Sequence, residues 1–467
     1  MHDGAFDTAV IGAGIGGVVA AALLARRGQR VLLLEKNDEP GGYFAGVRAG
    51  DGSRFDRGII FLSGCAEGGP LLDLLDELGA APPALLAPDP LGMAWGPGYR
   101  VALVPGERGM LAALDAAFPG EAPALEEHLA MCRTVAGELD AAASGRGASP
   151  HVARLAASTH QGVIESRFHQ PGLRQFFLDQ PFFLFGRRDS ALLPALRLWS
   201  LLQGDMHLVA GGARALVDAL MGCFLRDGGE FWPRCPAVAV TVTAGRAAAV
   251  DTGTGRHIQC ANVVAGIDVR ELLLGLCDQP PGAATRVRLA AEVAPSAVVQ
   301  YLNVTGDPLA GLGVAGPYLS LLGPADDDAG FALPGAGVAA LRLPPAGEKT
   351  CRVIVETRAA WPGDDDTVGG LRSAAAGVVA AAGARVLASD LATPADFHRL
   401  TGNARGSTMG WAFTPRNMTV DWFNPLPGLY VVSHWAGPWS GLLGGLRYGR
   451  RAADVITGEG RGRLGQG

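Results

Sequence analysis

The chain opens on three apolar segments separated by short breaks: Ala9–Ile11, Ile15–Ala25 and Val31–Leu34. Short unbroken apolar runs suit strands buried on both faces, and the longer run of small residues between them suits a buried helix. The pattern predicts strand, helix, strand over Phe6–Glu35, a parallel pair joined by a crossover. A signal peptide or membrane helix over Thr8–Ala25 is disfavoured, because nothing basic precedes the run and its glycines weaken it as a lone helix.

Further along, Asp51-Gly52 marks a hairpin inside Arg48–Gly64, and PLLDLLDELG at Pro70–Gly79 is an amphipathic helix closed by glycine. Prolines 82, 83, 88 and 90 mark a change of region. Strands are predicted at Met93–Trp95 and Arg100–Val104, helices at Gly106–Phe118 and Pro123–Ala143, and a flexible link at Ala142–Ser149. The most aromatic stretch follows, with Phe168, Phe176, Phe177, Phe182, Phe183, Phe185 and Trp199 among leucines. It reads as the core of a helical subdomain, with an apolar substrate tunnel or a membrane-resting surface as the alternative.

The pattern changes back at Gly211-Gly212, which leads into a helix over Ala213–Arg226 and a strand from Glu230. A meander is predicted at Ala237–Thr243, Ala247–Thr252, His257–Cys260 and Asn262–Ala265, returning to a parallel sheet at Gly266. A second departure, Val287–Arg399, carries strands at Ala297–Asn303, Tyr318–Leu322, Val338–Leu341 and Arg352–Arg358 and a helix at Val368–Ala382. Near the end, Pro427–Val432 is a buried strand and Gly437–Ala453 opens a helix.

Composition narrows the options. With 467 residues the chain exceeds a single core, and a net charge of -6 gives no electrostatic case for nucleic acid. The seven cysteines are scattered without a C-x-x-C pair, which argues for a reducing compartment, no disulfide framework and no metal site. Cytoplasmic placement is expected, with peripheral membrane contact as the alternative. The oligomeric state cannot be read.

Candidate chemistry starts at the first break. Gly12, Gly14 and Gly17 stand in G-x-G-x-x-G spacing between the first strand and its helix. Gly12 allows the sharp turn, Gly14 lets a pyrophosphate approach the backbone, and Gly17 lets helix and strand pack closely. Free N–H groups at the helix start then face the phosphate. Glu35, at the end of the second strand, can accept the ribose hydroxyls and would repel a 2′-phosphate, which favours FAD or NAD over NADP.

Three pieces taken together resemble one family: Gly12–Gly17 with Glu35 and Gly41-Gly42; the Gly211-Gly212 helix with the meander ending CANVVAG; and GLYVV with GPWSGLLGGLRYGRRAA at the end. The chain resembles the FAD-dependent phytoene desaturase, carotenoid isomerase and retinol saturase group of the amine-oxidase-like flavoproteins. TPADFHRLTGNARGSTMGW at Thr393–Trp411 is similar to that group's T-P-x-x-F-x-R-x-T-G-N segment.

The resemblance implies an α/β fold with a Rossmann-like FAD-binding domain (1–90, 206–286, 400–467) and an interleaved α+β substrate domain (91–205, helical and aromatic-rich, and 287–399). It implies non-covalent FAD held at Gly12, Ala13, Gly14, Ile15, Gly16 and Gly17, at Glu35 and Lys36, and at Gly41 and Gly42. Val238 would offer its backbone to adenine, and Gly58 and Ile59 would lie by the isoalloxazine. Gly266, Ser433, His434, Gly441, Leu442, Leu443 and Gly444 would complete the site, with the last helix aiming its amino end at the flavin.

Two departures from the family stand out. Glu39 and Tyr43 flank the Gly41-Gly42 region where the family commonly has a cation, so the pyrophosphate is expected to rest on backbone N–H groups alone. Ser433-His434 replaces a Gly-Asp-like pair. His434, Trp435 and Arg399 are the candidate catalytic residues, with His398 a further site candidate beside Arg399, while His128, His151, His160, His169 and His207 read more simply as surface or core. Flavin chemistry on a hydrocarbon demands positioning and dryness more than catalytic side chains. The expected function is desaturation, isomerisation or saturation of a C–C bond in an apolar polyene or isoprenoid-like substrate. The alternatives are an amine oxidase or tailoring oxidase and a non-catalytic FAD-binding protein.

Overall fold

The structure is a computed structural model that describes residues 6–142, 149–279, 281–322, 337–343 and 350–459, the side chains of Phe182 and Phe183 excepted. The Ala142–Ser149 link therefore lies almost wholly outside the described residues, as do the side chains of those two phenylalanines.

The first apolar run forms strand β1 (Phe6–Ile11), the small-residue run forms helix α1 (Ile15–Arg26), and the third forms β2 (Val31–Leu34). β1 and β2 pair in parallel, and β2 pairs in parallel with Glu230–Trp232 on its other side. Beyond β1 lie His257–Ala265 and then Leu429–Val431, both parallel. This is the Rossmann-like arrangement expected of the pattern.

One expectation needs correction here. His257–Cys260 and Asn262–Ala265 are a single strand, His257–Ala265. Its first half closes an antiparallel meander with Ala237–Thr243 and Arg246–Thr252, and its second half enters the parallel sheet. No turn residue interrupts it, so one strand serves both layers.

α1 is buried along nearly its whole length between the sheet and helices Arg214–Arg226 and Gly441–Thr457. Glycine permits this closeness. A Cβ on Gly449 would meet the Gly16 carbonyl at 2.9 Å, and one on Gly445 the Ile15 Cγ2 at 2.8 Å.

The second sheet runs in the order Val386–Ala392, Ser296–Val304, Cys351–Ala359, Val338–Arg342, Tyr318–Leu321, Gly92–Gly96, Tyr99–Leu103. Gly92–Gly96 lies parallel to Tyr318–Leu321 and the other pairings are antiparallel. The Val386–Ala392 edge strand was not anticipated. Period-two alternation divides its faces. Val298, Leu302 and Val304 pack under helix Asp365–Ala381, while Ala297, Val299 and Tyr301 face the aromatic helices.

Those helices run from Pro150–Leu155 through His160–Arg167 and Pro171–Phe185 to Leu192–Leu202. Phe168, Phe176, Phe177, Phe185 and Trp199 are all buried. Phe168 and Phe177 stack at 5.0 Å, and Trp199 sits 4.8 Å from Phe177. Among the described aromatics of this stretch, the core reading holds. No helix among the described residues is long and apolar enough to cross a membrane.

His128 completes the nest, 4.7 Å from Phe177, and His160 lies buried nearby. Neither ring nitrogen of either residue has a hydrogen-bond partner among the described residues. Burial pushes the pKa of His160 down to about 3 and that of His128 well below its ordinary value. In the unfolded chain both take a proton near pH 6.5, so below that pH the unfolded state binds more protons and stability falls with pH. Each histidine should contribute a slope of up to about 1.4 kcal/mol per pH unit between pH ~6 and the folded pKa. Asp56 and Asp179, whose pKa values burial raises to about 6, act with the opposite sign over part of the window. The measurement is therefore differential. Chemical denaturation of wild type and of His128→Phe/His160→Phe from pH 7 to 4 should show the variant losing less stability on acidification; parallel curves would refute the assignment.

Candidate functional site

A cavity of about 640 Å³ lies at the carboxyl ends of the parallel strands, lined by Ile11, Leu34, Gly266 and Val432 from those strand ends. Gly12 makes the turn out of β1 with φ +89°, and its N–H donates to the Leu34 carbonyl at 2.8 Å. Ala13 accepts from the Gly41 N–H at 2.7 Å, which ties the second glycine pair to the first turn.

The glycines of the motif divide into two kinds. A Cβ on Gly17 would lie 2.1 Å from the Gly12 carbonyl oxygen, and one on Gly16 would lie 1.9 Å from that of Val432. These positions are closed by the protein itself. Gly14 has φ -65°, and among the described residues a Cβ there would meet only the Gly266 carbonyl, at 3.8 Å. The protein leaves room at Gly14, on the cavity wall, at the uncapped start of α1. Such a recess beside free helix N–H groups suits a pyrophosphate.

Glu35 is buried in the same wall, and its carboxylate accepts from the Ala13 N–H at 2.9 Å and from the Asn37 backbone and side-chain N–H groups at 2.9 and 2.7 Å. These contacts fix the carboxylate against the turn, oriented for a ribose. Lys36 lines the cavity with its ammonium held by the Arg399 carbonyl at 2.9 Å. Gly41, Gly42, Gly58, Ile59, Gly266, Ser433 and His434 all line the cavity, as do Ile15, Gly16, Gly441 and Leu442.

Other predicted residues are placed differently. Val238 is 49% exposed and the wall there is Cys235–Ala237, because strand alternation turns its side chain outward. Ala13 and Gly17 lie behind the wall, occupied in the turn. Leu443 is packed in the core, and Gly444 lets the helix approach the Trp439 carbonyl, where a Cβ would come within 2.6 Å. Leu443 and Gly444 lie off the wall because the helix turns them away from the cavity; Gly445 lines it instead.

Of the catalytic candidates, Trp435 is wholly buried, with its indole N–H on Asn403 Oδ1 at 2.9 Å and the Arg270 guanidinium over its ring. It supports the wall from behind. The Arg399 side chain is 70% exposed at the rim and pairs with Asp396. His434 lines the cavity, tilted against Tyr43, with no hydrogen-bond partner for Nε2 among the described residues. Burial, reinforced by Arg270, pushes its pKa down to about 4, so it is neutral above pH 5. The Ser433 hydroxyl donates to the Ile267 carbonyl at 2.7 Å.

Three groupings escaped sequence reading. Glu356 and Arg358, two apart on Cys351–Ala359, project from the same face of the second sheet into the cavity as a buried ion pair. Glu356 also accepts from the Ile59 N–H at 2.9 Å, and Arg358 donates to Thr408. Arg57, next to Gly58, lines the cavity with Gly41 and Gly42. Cys65, Asp205 and His207, apart in sequence, bring their ligand atoms within 4.8 Å of one another. Both Asp205 oxygens already accept backbone N–H groups of Gly64 and Cys65, and burial with Asp205 nearby pushes the Cys65 thiol up to about 12, so the trio is poorly poised for a metal.

The family model of an NAD(P)-binding Rossmann-like domain matches residues 10–78. The chain is 32% identical over 137 residues to all-trans-retinol 13,14-reductase of Danio rerio, covering 28% of this chain and 22% of that protein. It is 50% identical over 62 residues to phytoene desaturase of Fusarium fujikuroi, covering 13% and 11%. The matched stretch thus spans about a fifth or less of these relatives' length. Cyclohexylamine oxidase from Brevibacterium oxydans shares the fold with a TM-score of 0.65 at 16% identity, over 98% of this chain and 99% of that one. The chain carries a dinucleotide-binding Rossmann-like domain, has distant partial homology to retinol saturases, prolycopene isomerases and phytoene desaturases, and has the amine-oxidase-like fold.

Proposed function

We propose that the cavity holds one non-covalent FAD and that the chain is an oxidoreductase acting on a C–C bond of an apolar, polyene or isoprenoid-like molecule. The observation that carries the cofactor reading is the recess at Gly14, open in the protein and flanked by Glu35 and the start of α1. Bound there, FAD supplies hydride transfer at its N5. Glu35 would hold the ribose, the α1 N–H groups the pyrophosphate, and the amino end of Gly441–Thr457 would stabilise negative charge on the flavin ring. The substrate reading is supported by the relatives named for retinol reduction and phytoene desaturation.

Amine oxidation is the second reading. The Glu356–Arg358 pair is what favours it, since it sets charged groups into the wall beside Gly58 and Ile59. Anaerobic mixing of the FAD-loaded protein with retinoid and carotenoid polyenes, and with primary amines, separates the two. Flavin bleaching by a polyene, or turnover of a polyene by reduced flavin, supports the first; bleaching by amines alone, with peroxide released in air, replaces it with the second.

His434 has no protonation step near neutrality, so the pH profile of the flavin half-reaction should show no inflection near 6.5 attributable to it. An inflection there that disappears in His434→Gln would overturn its assignment as a neutral wall residue.

A further inference from the structure

Four cationic side chains border the cavity: Lys36, Arg57, Arg358 and Arg399. Three are committed. Lys36 donates to the Arg399 carbonyl, Arg358 pairs with Glu356, and Arg399 pairs with Asp396. Arg57 alone among them has no carboxylate or other acceptor at its terminal nitrogens among the described residues, and its Nη1 is shut away from solvent. A buried guanidinium nitrogen without an acceptor is costly in a folded protein.

The residue is held in place by other means. Its Nε donates to the Gly46 carbonyl at 3.1 Å, and its own carbonyl accepts from the Tyr301 hydroxyl at 2.7 Å. Its neighbour Asp56 accepts from the Ala213 N–H at 2.8 Å. The backbone and the base of the guanidinium are therefore fixed while its outer nitrogens stay uncommitted. Glu39, the acid nearest Gly41 in sequence, is neutralised by Arg214 at 2.6 Å, and the Tyr43 hydroxyl is spent on the Ser407 carbonyl at 2.8 Å.

We infer that Arg57 binds the cofactor's pyrophosphate, supplying from the hairpin the positive charge that the residues flanking Gly41-Gly42 lack. The inference rests on the FAD reading above and differs from the expectation that backbone N–H groups carry the phosphates alone. Charge-assisted guanidinium–phosphate bonds are among the stronger polar contacts, and their forked geometry is specific to arginine.

The test compares wild type, Arg57→Met and Arg57→Lys, each depleted of flavin and titrated with FAD and, separately, with riboflavin, which lacks the pyrophosphate. Arg57→Met should raise the FAD dissociation constant about 10- to 100-fold and leave riboflavin within about twofold of wild type. Arg57→Lys should recover part of the loss, and the salt dependence of FAD binding should weaken in Arg57→Met. Equal weakening of both flavins would move the guanidinium to the isoalloxazine and overturn the assignment. So would unchanged FAD binding, with or without a lower melting temperature. A wild-type protein that binds neither flavin would overturn the FAD reading itself.

Discussion

Gly14→Val should fold, remain soluble and emerge from purification colourless, whereas Gly17→Ala should fail to accumulate as folded protein. The two glycines belong to one motif, yet the structure assigns them opposite costs. At Gly17 a Cβ would be driven to 2.1 Å from the Gly12 carbonyl, backbone against backbone, with no side chain able to yield. At Gly14 the backbone is in an ordinary extended conformation, and among the described residues the one atom within 4 Å of a Cβ is the Gly266 carbonyl oxygen at 3.8 Å. A valine there occupies the space meant for a phosphate while leaving the fold intact. FAD retention should fall by more than about 100-fold, as expected when a well-placed anion site is filled and its charge-assisted bonds are lost. Far-ultraviolet circular dichroism with flavin content after purification checks both halves. A yellow Gly14→Val protein would mean that the dinucleotide lies elsewhere.

Trp199→Ala should destabilise the protein by about 3–5 kcal/mol, the usual cost of deleting a large buried aromatic. Trp199 is fully buried against Phe176 at 5.1 Å and Phe177 at 4.8 Å, with Phe168 and His128 behind them. The nest joins the helical insert to the second sheet through Tyr99, which meets Phe176 edge-on at 5.5 Å. A cavity there cannot collapse without moving four rings. Trp361, 42% exposed, is the control: Trp361→Ala should cost less than about 0.5 kcal/mol. Urea unfolding of the two variants against wild type decides the matter, and equal costs would show that the insert is not a packed core.

The parts of the fold that could be read from sequence are those whose signal is local. β1, the glycine turn, α1, β2 and Glu35 follow one another within a single unit, so period and spacing expose them together. The Pro70–Leu78 helix announces both its ends, with proline at the start and Gly79 in the left-handed conformation after it. The edge strand Val386–Ala392 was missed because its alternation is faint. Ser389 and Asp390 interrupt its apolar residues, and Val386 and Leu387, adjacent, are both exposed.

Most residues predicted for the nucleotide side line the cavity, whereas the opposite wall was opaque in the sequence. Glu356 and Arg358 lie inside a stretch that reads simply as a strand, and only the pairing of that strand with Ser296–Val304 turns them toward Gly58 and Ile59. The return of Phe55–Gly58 toward the nucleotide side after the Asp51-Gly52 hairpin can be read from sequence, but nothing in that reading gives Arg57 a place in the wall. Val238 turns its side chain outward, and the wall beside it runs through Ala237.

The most direct test of the account is the identity and amount of flavin released from the purified wild-type protein by denaturation. The account predicts FAD, close to one per chain, released intact and therefore not covalently bound, and rebound by flavin-depleted protein. Protein that carries no flavin and takes up none on titration with FAD would contradict it.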